Sequence, residues 1–422
     1  MTRRILLHVG TPKTGTSALQ DVLFRNSELL AEAGIRYPAD RFDAHFLAAL
    51  DLMRLPWGGL EQEAVGAWDR LVAGVDAAGP DDTVVISHEI LARASRADVE
   101  RALVDLGRDR GAEIHVVISA RDLSRQIPAE WQENVKHRAE LTYRAFLDQI
   151  TDPARKGRIG SWFWGVQELP DILDRWAGDL PAERVHVITV PPPGSDPGLL
   201  WQRFTETFGL AGLELDLGND RSNPSLGVPE TALVRRINVR MNARLPPPDY
   251  RPLVRELLAH QTLSQRRDSA RLTLPQDLRG WVRDLEDSWV AALTARDCHV
   301  VGDLADLRGP RPDAVRTGDT DSPASTGSTD SATGTAWADP DRPVEAEVAD
   351  AALDAIDRLL LRAAADQHEL DRLRGALADT EQALERSYLR PTYRLREKSV
   401  RVLQASGPGR LALRVYRRLR GR

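Results

Sequence analysis

Four short runs along the chain are apolar, rich in β-branched residues and closed by loop or turn residues: Ile5–Val9, Thr83–Ser87, Glu113–Ser119 and Val185–Val190. Runs of that length and make-up predict buried strands. Between the first two the period changes. Leu19, Val22, Leu23, Leu29, Leu30 and Ala33 recur at helical spacing, and Gly34 closes the run as a helix C-cap. The following stretch, Gly34 to Pro38, reads as a short extended segment. Strands alternating with helices predict an α/β fold of three layers, a central parallel sheet with helices on both faces. Ligands of such sheets bind beyond the carboxyl ends of the strands, so chemistry is expected in the residues that follow each run. From Glu230 to Leu304 the pattern is mostly helical, with no new domain.

The composition then shifts. Gly309 to Pro343 is dense in Gly, Pro, Ser, Thr and Asp, which predicts a disordered linker. Leu353, Ile356, Leu360, Ala363, Leu370, Leu377 and Leu384 follow a partial seven-residue spacing, with polar Gln367, Arg374 and Glu381 in the same seam. That pattern predicts a helix with a weak coiled-coil seam, a candidate contact for a homodimer. The expected organisation is therefore a catalytic-type domain over 1–305, a linker over 306–343, a helix over 344–388 and a tail over 389–422.

Charge sharpens this picture. The net charge is −6, which argues against nucleic acid as a partner of the whole chain. From Leu389 to Arg422 stand eleven basic residues and one acidic residue, a segment of +10, leaving −16 on the rest. Tyr393, Val400, Val402, Leu403, Leu411, Leu413, Val415 and Tyr416 interleave with those arginines. Such a tail suits peripheral contact with an anionic membrane, an acidic polymer or the acidic remainder of its own chain. The single cysteine, Cys298, excludes an intramolecular disulfide and a cysteine-rich metal site. A reducing, cytoplasmic setting is the simplest expectation. No apolar run approaches the length of a membrane span, and Ile5–Val9 is too short for a signal-peptide core.

The most specific feature follows the first strand. Gly10-Thr11-Pro12-Lys13-Thr14-Gly15-Thr16-Ser17 joins a strand to a helix. Glycines let the backbone approach an anion, and the free amides and dipole at the helix start attract phosphate. Thr16 and Ser17 add hydroxyl donors, and Lys13 adds a mobile charge. A Walker A loop needs its lysine directly after the last glycine, where this chain has Thr16. With its lysine in mid-loop, the segment Thr11, Pro12, Lys13, Thr14, Gly15, Thr16, Ser17 resembles the 5′-phosphosulfate loop of sulfotransferases that use 3′-phosphoadenosine-5′-phosphosulfate (PAPS). The resemblance implies a P-loop-like α/β fold and PAPS as co-substrate. It also implies that Lys13 meets the bridging oxygen and sulfuryl group, while Gly15, Thr16 and Ser17 hold the 5′-phosphate.

The same family binds the 3′-phosphate with an arginine after a later strand and a serine about eight residues on. Arg121 fits the arginine, whose planar fork suits phosphate. Ala129 stands where the serine is expected, and Ser124 is the nearest hydroxyl. Arg221, in the donor-rich segment Asp220 to Gly227, is a candidate for a closing basic loop. The acceptor proton needs a general base. His45 and Glu89 are the candidates, with His88 beside Glu89 at the end of the second predicted strand and His8 a buried neighbour. Trp131, Glu133 and Lys136, in the polar and aromatic stretch Glu130 to His137, are candidates to contact adenine or acceptor, the alternative being an ordinary amphipathic helix. Trp162, Phe163 and Trp164 offer flat faces for a sugar ring or for the core.

The expected activity is sulfuryl transfer from PAPS to a hydroxyl or amine of a small-molecule or glycan acceptor, carbohydrate or glycolipid leading, with no metal required. A nucleotide kinase or NTPase with a variant loop, and a non-catalytic binding protein of the same fold, are the competing readings. Ala129 favours the last of these.

Overall fold

The computed structural model describes residues 3–218, 225–309, 337–389 and 391–419. Six strands form one sheet: β1 (Arg4–His8), β2 (Ile35–Arg36), β3 (Thr83–Ser87), β4 (Glu113–Ala120), β5 (Val185–Thr189) and β6 (His299–Val301). Their order is β2-β3-β1-β4-β5-β6, and every pairing is parallel. Alternate residues bury on opposite faces. Leu6, Val85, Val117, Ile188 and Val301 share one apolar cluster with Leu19, Leu23, Phe204 and Phe208 of the covering helices. Ile5, Leu7, Val84, Ile86, Val116 and Ile118, of the other parity, are equally buried. This is the α/β architecture with a central parallel sheet that the alternating pattern predicts.

The four predicted strands are β1, β3, β4 and β5, with ends displaced by at most one residue. β2 and β6, of two and three residues, close the sheet at its two edges. Neither is long enough to carry a period of its own, and β6 falls in a region whose pattern reads as helical. Each exists because a neighbouring strand offers its edge.

The helix expected from Leu19 to Ala33 is two helices, α1 (Thr16–Arg25) and a short one over Ser27–Glu32. The break is at Asn26. Its Nδ2 donates to the carbonyls of Val22 at 2.8 Å and Asp216 at 2.9 Å, and its Oδ1 accepts from the Asp216 amide at 2.9 Å. A side chain that bonds the backbone this way competes with helix continuation. Further along lie α2 (Ala44–Met53), α3 (Leu123–Lys136), α4 (Gly157–Gln167), α5 (Arg279–Arg296) and α6 (Glu345–Leu389). The chain divides into two compact units, one through Asp354 and one from Ala355. Most of α6 belongs to the second unit, with helices over Pro391–Ala405 and Gly407–Leu419. Most of the predicted linker lies outside the described residues. No helix among the described residues is long and apolar enough to cross a membrane.

β1 sits in mid-sheet, and the chain crosses over it between β3 and β4. In open α/β sheets such a reversal makes a crevice outside the carboxyl ends of the strands, here those of β1, β3 and β4, and ligands bind there.

Histidines of the sheet and its cover are held neutral. Burial pushes His8, His45 and His186 down to about 4. His186 belongs to a row across three strands: Glu113 to His115 at 2.7 Å, His115 to His186 at 2.8 Å, His186 to His299 at 3.1 Å. With His115 and His186 neutral, each of these two rings donates toward the Glu113 carboxylate and accepts from the next ring in the row. A folded-state pKa below the unfolded value of about 6.5 means that the unfolded chain takes up protons first, so stability falls as pH drops from 6.5 toward 4. Glu130 and Glu286, pushed up to about 7 chiefly by burial, titrate in the opposite sense. The histidine share is therefore read by difference. His45→Gln keeps a donor and an acceptor without a proton to gain, and should remove about 2–3 kcal/mol of the pH dependence between 6.5 and 4.5. Urea denaturation of both proteins at the two pH values measures it; identical slopes would refute the assignment.

Candidate active site

The loop after β1 is tied down by its inner hydroxyls. The Thr11 amide and Oγ1 both donate to the Ser119 carbonyl, at 2.8 and 3.1 Å. Thr14 Oγ1 donates to the Thr11 carbonyl at 2.6 Å and lies 2.6 Å from Ser119 Oγ. Both threonines are almost fully buried, so they shape the loop and bind it to β4. Two glycines are required by close approach. Gly10 has φ +137°, and a Cβ there would stand 2.9 Å from the Glu89 carbonyl oxygen. Gly15 has φ +88°, and a Cβ would meet Leu200 at 2.9 Å. Gly15 caps α1 without a side-chain bond, and no acid occupies the first turn. The leading amides of α1 and their partial positive charge are thus left for an anion. Ser17 is exposed beside them, while Thr16 is buried.

Lys13 takes up a left-handed backbone conformation, φ 65°, and is about one-quarter exposed. Its Nζ stands 2.5 Å from Glu133 Oε2 on α3. The same carboxylate faces His137 Nε2 at 3.0 Å and Arg255 Nη2 at 3.4 Å. Burial acts to raise the Glu133 carboxyl, but Lys13, His137 and Arg255 outweigh it and hold the acid well below its usual range. Lys136, one helical turn on, is lowered to about 8 by burial and by Lys13 and Arg255, with Glu133 opposing. Glu130, one turn before, is pushed up to about 7 by burial and by Glu133, against Lys13 and Arg121. Gln167 donates to it at 3.0 Å. One face of α3 therefore presents Glu130, Glu133 and Lys136 to the loop.

Trp131 points the other way. It is fully buried, its Nε1 donates to the Leu141 carbonyl at 3.0 Å, and its ring lies 4.9 Å from Tyr143. The expectation that Trp131 contacts adenine or acceptor is corrected: it is core.

Arg121 leaves the end of β4 toward the same crevice. Its Nε donates to Gln126 Oε1 at 2.9 Å and its Nη2 to the Arg125 carbonyl at 3.1 Å. Gln126 in turn donates to the Pro12 carbonyl at 2.5 Å, which couples Arg121 to the loop. Burial and Arg125 lower the guanidinium to about 10, still charged at neutral pH. Among the described residues no carboxylate lies within ion-pair distance of it. Asp122 and Glu130 favour its charge from farther off, and an arginine without a direct ion pair keeps its fork available to an anion.

Ser124 does not join it. Its hydroxyl donates to Asp122 Oδ1 at 2.5 Å, and a Cβ on Gly309 would lie 2.6 Å from that hydroxyl. Glu286 accepts from the amides of Leu123 and Gly309 in the same corner, at 2.8 and 2.9 Å. In this structure the Ser124 hydroxyl is therefore committed to Asp122, with the Glu286 carboxyl in the same corner. Arg221 lies outside the described residues.

The proton acceptors separate just as clearly. His45 is buried. Its Nε2 donates to the Pro38 carbonyl at 3.1 Å, its Nδ1 accepts from the Ser87 amide at 3.2 Å, and its ring lies 4.3 Å from Tyr37. Both nitrogens are engaged within the fold, which places His45 in the packing between Pro38 and β3. His8, bonded to Ser87 at 2.9 Å and Ser119 at 3.1 Å, is a buried spacer between strands. Glu89 remains, half-buried at the end of β3. Gln20 Nε2 donates to it at 3.0 Å. Burial acts to raise its carboxyl, but His88, Gln20 and Thr16 outweigh this, and the acid is ionised at neutral pH. His88 accepts from the Ile90 amide at 3.3 Å and lies against Phe46.

Sequence reasoning missed an aromatic wall that runs from His88, the neighbour of Glu89, to His137, the partner of Glu133. Ring centroids step from His88 to Phe46 at 5.1 Å and on to Trp57 at 5.6 Å, and Trp57 in turn meets both Trp162 at 5.6 Å and His137 at 6.4 Å. Phe46, Trp57 and Trp162 are half-exposed, whereas Phe163 and Trp164 are buried. Of the predicted sugar platform, only Trp162 faces the wall. Arg255 was missed as well, because no local pattern marks a residue that reaches the loop from a π-helical turn over Arg251–His260. Among the described residues no group of three or more His, Cys, Asp or Glu could hold a metal ion.

No protein-family model and no curated protein matches this chain. Among solved structures, a sulfotransferase from Alicyclobacillus acidocaldarius is similar with a TM-score of 0.35 and 17% identity, over 70% of this chain and 96% of that one.

Proposed function

We propose that this chain transfers the sulfuryl group of PAPS to a hydroxyl or amine of an acceptor, with carbohydrate the leading class. The observation that carries the reading is a mid-loop lysine at an uncapped helix start, together with an arginine at the end of β4 that has no carboxylate within ion-pair distance among the described residues. Those groups fit a ligand with phosphate at both ends: α1 and Ser17 at the 5′ end, Arg121 at the 3′ end. The bound donor would supply a sulfur centre: the acceptor oxygen or nitrogen forms a bond to sulfur, the bond to the 5′-phosphate oxygen breaks, and adenosine 3′,5′-bisphosphate leaves.

Lys13 holds positive charge where the departing phosphate gains negative charge. Glu133 fixes the position of that ammonium. Glu89, ionised and oriented by Gln20, accepts the acceptor's proton at its carboxylate. The wall of Phe46, Trp57 and Trp162 stacks on the apolar face of a ring, and its flanking carboxylates suit the hydroxyls of a neutral sugar rather than an acidic one.

Calorimetric titration of adenosine 3′,5′-bisphosphate against ATP tests the nucleotide. Bisphosphate binding should exceed ATP binding, and Arg121→Ala should lose roughly 10–100-fold in bisphosphate affinity, the worth of a charged hydrogen bond. A preference for ATP with magnesium would instead support the kinase or NTPase reading. An Arg121→Ala protein that melts normally and binds unchanged would remove Arg121 from the site.

A further inference from the structure

We propose that α6 pairs in parallel and in register with α6 of a second copy of this chain. From Ala355 on this helix belongs to the second unit, and a stripe of its apolar side chains is exposed. Ile356, Leu359, Leu370, Leu373, Leu377 and Leu384 are 40–60% exposed. The helices that follow, over Pro391–Ala405 and Gly407–Leu419, pack on each other and are each far shorter than the stripe.

The helical phase defines a seam different from the one suggested by Leu353, Leu360 and Gln367. Ile356, Ala363, Leu370, Leu377 and Leu384 recur every seventh residue. Three residues after each stand Leu359, Asp366, Leu373, Thr380 and Ser387. Alternating steps of three and four are the period of a left-handed coiled coil, whose seam faces its partner along the whole length. The stripe spans about 48 Å at 1.5 Å per residue. At one helix width it buries on the order of 1,000 Å² in a pair, enough for a specific association.

Charge selects the partner and its direction. In a parallel pair, the residue before one seam position meets the residue five places on in the other copy. That brings Glu369 beside Arg374, twice by symmetry. Within one copy these two make only exposed ion pairs, with Arg372 at 2.6 Å and Asp371 at 3.3 Å, which exchange readily. A two-fold pair needs one self-complementary surface and no other protein. Asp366 is the exception in the seam. It bonds Arg362 at 2.8 Å on its own helix, and in the pair it sets two carboxylates across the axis, which weakens association.

Sedimentation equilibrium of the full chain at micromolar concentration reads the proposal directly. The mass should be twice that of one chain. Leu370→Asp and Leu377→Asp, both on the exposed stripe, should give monomers with unchanged helical content and an unchanged melting transition of the first unit. Asp366→Leu should tighten the pair by about tenfold or more. For direction, Ala363→Cys and Leu384→Cys in a Cys298→Ser background should each cross-link to their own kind under oxidation. A monomeric wild type, a dimer indifferent to both aspartates, or cross-links formed only when the two cysteine variants are mixed would overturn it.

Discussion

Lys13→Ala is expected to lower sulfuryl transfer by about 10²–10³-fold, the usual cost of removing one preorganised group that stabilises developing charge. The fold should survive, because Lys13 is partly exposed and the loop is held by Thr11 and Thr14 rather than by its lysine. The substitution also strands Glu133, which keeps His137 and Arg255 but loses its shortest partner. An acid freed beside the phosphate site repels the donor, so nucleotide affinity should fall along with turnover. Lys13→Ala with Glu133→Gln should then regain part of the affinity and none of the turnover, a non-additivity expected of residues in contact. Rates with labelled donor, together with bisphosphate titration, separate the two effects. Full turnover in Lys13→Ala would sink the proposed mechanism, and binding losses that simply add would mean that Glu133 does not oppose the nucleotide.

Trp131→Ala carries the largest expected cost in stability, about 3–5 kcal/mol, as for other buried aromatics cut to alanine. The ring is fully buried against Tyr143, and its indole nitrogen satisfies the Leu141 carbonyl. Its loss leaves a cavity beneath the helix that carries Glu130, Glu133 and Lys136, so activity should disappear with the fold. Trp131→Phe separates packing from ligand contact. It keeps most of the volume, gives up one hydrogen bond, and should bind bisphosphate like the wild type after a modest drop in melting temperature. A Trp131→Phe protein that is stable but no longer binds nucleotide would show that the ring touches the ligand after all.

Much of this was legible in the chain because it is local. A β-branched run between loops makes a buried strand wherever it stands, so β1, β3, β4 and β5 were readable to within a residue. The loop from Gly10 to Ser17 was readable because its chemistry lies in consecutive residues at a strand-to-helix turn. The place of Arg121 at the carboxyl end of β4 was readable because it directly follows a recognisable strand. What was not legible depends on partners distant in sequence. Glu133 meets Lys13 across 120 residues, and Arg255 meets Glu133 across 122. Helical phase alone could not say which side of α3 faces the loop, and packing turned Trp131 inward and Glu133 outward. His45 and Glu89 looked equivalent as bases until the fold buried one with both nitrogens bonded and left the other half-open. Ser124 looked like a phosphate donor until α5 brought Glu286 to its corner. Composition and periodicity thus determined the sheet, the glycine-bearing loop after β1 and the long helix, because short-range sterics and hydrophobic period act within a few residues. Tertiary packing decided which charges meet, which hydroxyls are already committed and which rings face the crevice, because burial and hydrogen-bond pairing are properties of neighbours that the chain brings together only when it folds.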